Sequence, residues 1–431
     1  MASDRRIAPG AAGGAAGLVI AGILIAALSL RGPIVSPTPV LRQIESDLGI
    51  GAATAGLLTT APVLMFALLT PVAALVIRRA GAELALMITL TGVLLGTFLR
   101  AVPGFGWMLA GMIVIGASIT VGNVVIPVII RRDVAPERVA LVTAAYVAML
   151  NAGSLLTSLL TVPIASVIGW NLALVAWSVI TIAGMLLWVL HLRRAASRGE
   201  LWGERFSGAQ RPAVASVADR EADTLTGPVP VPLGRGATQG VSMFRNPIPW
   251  MLLLAFAGQA AVYYGFATWL PTLIADDLGV SAAAAGGLTA FFHGVAVVGA
   301  FVVPLLARFT PRIVPAIAIG ASWILLTLGM IIAPEWAAVW LSFGAIGHAG
   351  GFVVIFSTIV AIARSDAEAA GMSALVQGGG YAAAALAAPA MGALHEVTGG
   401  WDAVLLASLV VVLAYCVLLV AAVIVSWRAP R

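Results

Sequence analysis

Arg31 stands near the middle of an apolar run, 16–41, with 15 residues of the run before it and 10 after it. A guanidinium at the centre of a membrane-crossing helix costs about 2.5–3.5 kcal/mol even on the lenient insertion scale, so it must face a bundle interior and find a partner there. No carboxylate is on offer. All 18 acids fall outside the apolar runs or at their margins, with Glu83 and Glu335 nearest a boundary. The partner is then a carbonyl, a hydroxyl, water or an anionic solute. Arg31 is either a strut onto the carbonyls freed by Pro33 and Pro37 or a planar fork of donors for a flat oxyanion or nitro group. The fork geometry favours the second.

Other polar side chains lie deep in apolar runs and are candidates for the same site. Asn123 and Asn151 can each donate and accept. Asn123 suits a substrate contact and helix–helix glue equally, whereas Asn151 reads better as glue. Gln259 and Tyr263, spaced i, i+4, share a helix face, with Tyr264 beside them. Gln377 and Tyr381 repeat that spacing. Trp269 lies nearer a run end, where an aromatic belt is the plainer reading. His348 and His293 are packing residues in one reading and substrate contacts or proton carriers in the other, since only histidine titrates near neutrality here. The expected substrate-binding set is therefore Arg31, Asn123, Gln259, Tyr263, His348, Gln377 and Tyr381, with His293 as a further proton or substrate residue.

Several chemistries are excluded. All 23 basic residues are Arg and none is Lys, so there is no Walker A lysine and no Schiff base, which removes ATP-driven and light-driven pumping by this chain. Cys416 is the single cysteine, a small core residue with no disulfide partner. The four histidines have no metal-ligand spacing, and no Ser/His/Asp set or acid pair lies in the runs. No cofactor, no metal site and no enzyme activity are expected. The glycines Gly347, Gly350, Gly351 and Gly378 to Gly380 serve close packing or bending, not nucleotide binding, because no strand precedes them.

The elements that must hold these residues are helices. The 431 residues are 61% hydrophobic and 10% charged, which rules out a soluble globule of ordinary composition. Apolar runs long enough to span a bilayer fall at 16–41, 53–77, 83–101, 107–130, 138–166, 170–192, 247–274, 281–307, 312–333, 335–363, 368–393 and 401–427. They are apolar around their whole circumference, which suits helices and not the alternating strands of a barrel. An all-α membrane protein of twelve transmembrane helices follows. Its expected organisation is a tail at 1–15, a six-helix bundle at 16–192, a linker at 193–246, a second bundle at 247–427 and a tail at 428–431. The linker carries eight Arg, five acids and several Pro, and within it Leu201 to Phe206 reads equally as a short interfacial helix or a loop. Twenty arginines lie on the side of the termini and linker, while Arg42 and Arg100 fall on the other. That places both termini and the linker in the cytoplasm of a multi-pass inner-membrane protein. The charge surplus of five reports this orientation and not a nucleic-acid partner. The expected partners are a small-molecule solute and the lipid bilayer, with the chain a monomer.

An internal repeat relates the two sets of six. The segment from Asp47 to Thr59 recurs from Asp277 to Thr289 with nine of thirteen residues identical. Gly169-Trp170 matches Gly400-Trp401, and Arg131-x-Asp133 matches Arg364-x-Asp366, at nearly the same offset. Two six-helix bundles in parallel orientation are the arrangement of carriers that rock about a midplane site, and the offsets set Asp47 over Asp277 and Trp170 over Trp401.

Six plus six spans, a long linker and parallel halves resemble the major facilitator superfamily over essentially the whole chain. The loop Arg78-Arg79-Ala80-Gly81 is similar to that superfamily's basic glycine-containing loop but lacks its usual Asp. Within the superfamily, Leu28-Ser29-Leu30-Arg31, Gly56 to Pro62, Asn123 to Pro127, Gln259 to Pro271 and Gln377 to Tyr381 resemble the cyanate and 2-nitroimidazole transporter group, with Ser29 where an Asn is common. The resemblance implies a secondary transporter of a cyanate-, nitrite- or nitroimidazole-like solute working by alternating access. The alternatives are a drug or metabolite exporter, which is disfavoured because cationic drugs call for a buried acid, and a membrane solute receptor that binds without transport.

Overall fold

The computed structural model describes residues 9–134, 136–197, 246–299, 302–311, 313–363 and 366–428, and all regular structure among them is helical. Leu201 to Phe206 and Arg364 lie outside the described residues. The first half contains α1 (Pro9–Val35), α2 (Leu41–Leu48), α3 (Ala52–Ala80), α4 (Ala82–Leu99), α5 (Phe105–Asp133), α6 (Pro136–Ile168), α7 (Trp170–Ala176) and α8 (Ser178–Ser197). The second contains α9 (Pro247–Leu278), α10 (Ala282–Gly299), α11 (Val302–Phe309), α12 (Ile313–Ile332), α13 (Ala337–Ile362), α14 (Asp366–Ala384), α15 (Ala387–Thr398) and α16 (Asp402–Arg428). Among the described residues, eleven helical stretches are long and apolar enough to cross a bilayer. The remaining crossing of the expected twelve is the pair α14 and α15, divided at Ala385–Leu386. Large apolar side chains such as Leu95, Leu186, Val298 and Val417 are exposed around the perimeter. A water-facing surface of that kind would be an aggregation liability, whereas lipid accommodates it.

The first run is not one continuous helix. α1 stops at Val35, and a 3₁₀ turn over Thr38–Val40 leads into α2. Pro33, Pro37 and Pro39 bring no backbone N–H to the carbonyls four residues before them and clash with a continuing α-helix. The second half starts its matching crossing differently. Asn246 caps α9 by accepting from Ile248 N at 3.0 Å, with Pro247 at the first helical position, and α9 then runs unbroken past Pro271.

The repeated Asp-Leu-Gly segments end α2 and α9 on glycines of left-handed backbone, Gly49 at φ +61° and Gly279 at φ +62°, a conformation that costs glycine little. The side chains follow the repeat less strictly. Trp170 Nε1 donates to Asp47 Oδ2 at 2.5 Å, but Trp401 Nε1 donates to Asp276 Oδ2 at 2.8 Å, not to Asp277 as the offset predicts. Asp276 lies about 100° around the helix from Asp277, on a face where it meets both Trp401 and Arg42. The first half has Ser46 at the corresponding place.

The halves meet closely at the end of the bundle that carries Asp47 and Trp401, here the distal end. α6 packs along α10, and α3 along α14 and α15. A Cβ on Gly56 would sit 2.7 Å from Pro389 N, and one on Gly392 would sit 2.6 Å from Ala52 O, so these glycines let backbones of opposite halves touch. Polar links lie at the same end. Arg42 pairs with Asp276, Ala53 N donates to Glu396 Oε1 at 3.2 Å, Thr59 and Thr268 hydroxyls are 2.6 Å apart, and Thr60 Oγ1 donates to Ala385 O at 2.5 Å. Together they seal this end.

Candidate functional site

Beneath the seal, between the halves, lies a cavity of about 180 Å³. Arg31 lines it from α1, just before the break that ends that helix, and it is the sole formal charge among the described lining residues. Its Nη1 donates to Asn151 Oδ1 at 3.3 Å and to the Tyr263 hydroxyl at 3.2 Å, and its Cζ is 5.5 Å from the Tyr263 ring centroid. Asn151 comes from α6 in the same half and Tyr263 from α9 in the other. The guanidinium therefore joins the two halves inside the cavity.

The partners are themselves held. Asn151 Nδ2 donates to Val147 O at 3.1 Å. The Tyr263 ring lies flat on His348, with centroids 3.5 Å apart and planes 3° apart. Gln259 Nε2 donates to His348 O at 3.2 Å, while its Oε1 is buried with no partner among the described residues. Across the cavity Asn123 Oδ1 accepts from the Tyr146 hydroxyl at 3.5 Å. Tyr381 makes edge contacts with Phe66, Phe256 and Tyr264 at 6.0, 5.0 and 6.2 Å between centroids, so an aromatic group closes one wall with rings from both halves.

Of the residues singled out from the sequence, the cavity gathers Arg31, Asn123, Gln259, Tyr263, His348 and Tyr381. It does not gather Gln377 or His293. Gln377, one turn earlier on α14 than Tyr381, is buried elsewhere with Oε1 unpartnered among the described residues. His293 is buried beside Phe292, and neither ring nitrogen has a hydrogen-bond partner among the described residues. Asn151, read as glue, lines the cavity and holds Arg31. Tyr146 and Tyr264 line it too. Four of the five tyrosines in the chain lie in its wall, a signal readable beforehand, because tyrosines of spanning helices belong at the interfaces unless something polar draws them inward.

One further expectation needs correction. Trp269 is not an interface-belt residue: it is 2% exposed and its Nε1 donates to Ala388 O at 2.8 Å, in the first turn of α15. Arg100, at the end of the run 83–101 on the distal side, is buried at 1% exposed, which its run position did not reveal. Its Nη1 donates to Pro33 O at 2.6 Å, and its Nη2 donates to Leu174 O at 3.1 Å and Ser36 Oγ at 3.3 Å. The carbonyl left free by the proline break in α1 is thus taken by Arg100, and the strut considered for Arg31 belongs to this second arginine. At the opposite end, near the basic loop, Arg132 pairs with Asp133 at 2.6 Å and with Glu83 at 2.5 Å, which ties α4 to α5.

The Major Facilitator Superfamily model matches residues 23–373. The chain belongs to the major facilitator superfamily. It is a membrane transporter of that type and not an enzyme. It is 30% identical over 394 residues to the 2-nitroimidazole transporter of Escherichia coli (strain K12), covering 89% of this chain and 90% of that protein. It is 26% identical over 402 residues to the uncharacterized transporter YycB of Bacillus subtilis (strain 168), with 91% of each covered. Among solved structures, the fold is similar to a bacterial homologue of the human lysosomal transporter Spinster, with TM-scores of 0.64 for its inward-facing, occupied form and 0.62 for its unoccupied form. Those matches are 18% and 16% identical and cover 95–96% of this chain and 94–96% of the other. Within the major facilitator fold, the midplane cavity between two halves is where a carried solute sits.

Proposed function

We propose that this transporter carries a small planar solute, anionic or bearing a nitro group, across the cytoplasmic membrane by alternating access, with both termini in the cytoplasm. The observation that carries the reading is Arg31: a guanidinium in the cavity with no carboxylate among the described lining residues to neutralise it. Gln259, Asn123 and His348 offer neutral donors and acceptors around it, and the aromatic wall suits a flat ring. One relative, the 2-nitroimidazole transporter, is named for a solute of that shape. The sealed distal end corresponds to a state closed to the outside.

Size and charge favour this reading over a drug exporter. The volume of about 180 Å³ is below the roughly 300–1,000 Å³ of sites for drug-sized ligands, and a bulky cation would meet Arg31 as a like charge. Counterflow of labelled 2-nitroimidazole into proteoliposomes preloaded with the same compound is the test. Accumulation above empty liposomes is expected. Saturable binding without counterflow would make the chain a receptor, and neither would remove this solute class.

A further inference from the structure

We infer that Arg31 receives its solute on one edge only, the edge formed by Nε and Nη2, and that Asn151 and Tyr263 are positioning residues that hold the other corner of the guanidinium still. This rests on the reading of Arg31 as the charge partner of the solute. Nη1 carries two hydrogens, and two acceptors stand within reach of it, Asn151 Oδ1 at 3.3 Å and the Tyr263 hydroxyl at 3.2 Å. Nε and Nη2 have no protein partner among the described residues. They are also not sealed from the cavity, in contrast to Nε of Arg100, which is buried and unpartnered.

Both acceptors are fixed from behind. The Asn151 amide is oriented by its donation to Val147 O at 3.1 Å, which turns its oxygen to Arg31. The Tyr263 hydroxyl cannot swing without lifting the ring from His348, 3.5 Å away and parallel within 3°. The guanidinium plane is thereby set, and its free edge presents two parallel N–H donors.

That edge selects by shape. Two parallel donors match two oxygens on one planar centre, as in a carboxylate, a nitro group or nitrite. A linear anion such as cyanate or thiocyanate offers the edge a single terminal atom and leaves one donor unused. One charge-assisted hydrogen bond fewer corresponds to roughly ten- to a hundredfold in affinity. The specificity of the transporter is then set by how firmly Asn151 and Tyr263 orient the fork, although neither touches the solute.

The test is isothermal titration of the purified full-length protein with four probes: 2-nitroimidazole, imidazole-2-carboxylate, cyanate and thiocyanate. In the wild type the two-oxygen probes should bind at least about tenfold tighter than the linear ones. Tyr263→Phe keeps the ring and its stacking but removes the acceptor. With Asn151→Ala, it should narrow that ratio severalfold while the melting temperature stays near that of the wild type. Arg31→Lys should bring the ratio close to one. If Asn151→Ala fails to fold, Asn151→Asp keeps the shape and acceptor, and should weaken imidazole-2-carboxylate far more than neutral 2-nitroimidazole. The inference is overturned if cyanate binds the wild type as tightly as the two-oxygen probes, or if the ratio survives intact in the folded positioning variants. Failure of every probe to bind the wild type, or full affinity in Arg31→Ala, would instead bring down the underlying reading of Arg31.

Discussion

Arg100 donates to the backbone carbonyls of Pro33 and Leu174 and to Ser36, all within the first half, whereas Arg31, two residues before Pro33, donates only to side chains, one from each half. Both are drawn away from bulk water with no carboxylate bonded to them among the described residues. Arg100 binds atoms that cannot move without unfolding α1 or α7, so it works as scaffold. Arg31 binds side chains that can rearrange, opens onto a cavity, and bridges the two halves. A buried charge becomes a site where its acceptors are movable side chains beside a cavity, and a strut where they are chiefly backbone carbonyls.

The largest effect that could break this contrast is on stability. Arg100→Ala removes the charged donor from the Leu174 and Pro33 carbonyls and leaves Pro33 O with the Ser36 hydroxyl at 3.4 Å, at about 1–3 kcal/mol for an unsatisfied group. A destabilisation of at least about 1–3 kcal/mol and a lowered melting temperature in detergent are expected, while the fraction that folds binds 2-nitroimidazole as the wild type does. Weakened binding in that fraction would put Arg100 in the site.

Next in size is the loss of transport in Arg31→Lys. A point charge cannot reproduce the planar fork, so its counterflow of 2-nitroimidazole should fall nearly as far as that of Arg31→Ala, by about ten- to a hundredfold at solute concentrations below saturation. Near-normal transport by the lysine variant would mean that charge alone suffices.

The contrast between the arginines was only half legible in the sequence. Arg31 could be read because it sits in the middle of an apolar run, where burial follows from the length of a spanning helix. Arg100 could not. It stands at a run end, where an arginine ordinarily reaches water, and its burial depends on the break at Ser36–Pro37 turning a free carbonyl toward α4. Proline content announces such a break but not which distant side chain fills it. Gln377 and His293 fail for a related reason: their depth in a span was readable, but the face each helix turns to the cavity depends on the bends at Ala385–Leu386 and on packing against α9. The repeat was readable to the backbone, where Gly49 and Gly279 match, and not to the side chain, where Asp276 displaces Asp277.

A smaller effect concerns the distal seal. Asp276→Asn removes the ion pair with Arg42, whose side chains are 56% and 27% exposed, so it is worth only about 0.2–1 kcal/mol, or roughly 1.4- to 5-fold in the ratio of closed to open forms. In a Cys416→Ala, Thr38→Cys background, a membrane-impermeant maleimide should label the Asp276→Asn protein faster by that factor. Equal rates would show that the glycine contacts and the remaining polar links hold the seal without this ion pair. The smallest effect is expected of His293→Gln. His293 does not line the cavity, so the pH profile of transport should stay where it is, and a shifted profile would reveal a proton route outside the cavity wall.

The central claim is that Arg31 holds the solute while Arg100 holds the helix, and it is tested most directly by measuring 2-nitroimidazole affinity and melting temperature on the same preparations of Arg31→Ala and Arg100→Ala. The account predicts a crossed result: affinity lost by tenfold or more with little change in melting for the first, and melting lowered with affinity kept for the second. A well-folded Arg31→Ala protein that binds 2-nitroimidazole as tightly as the wild type would contradict it.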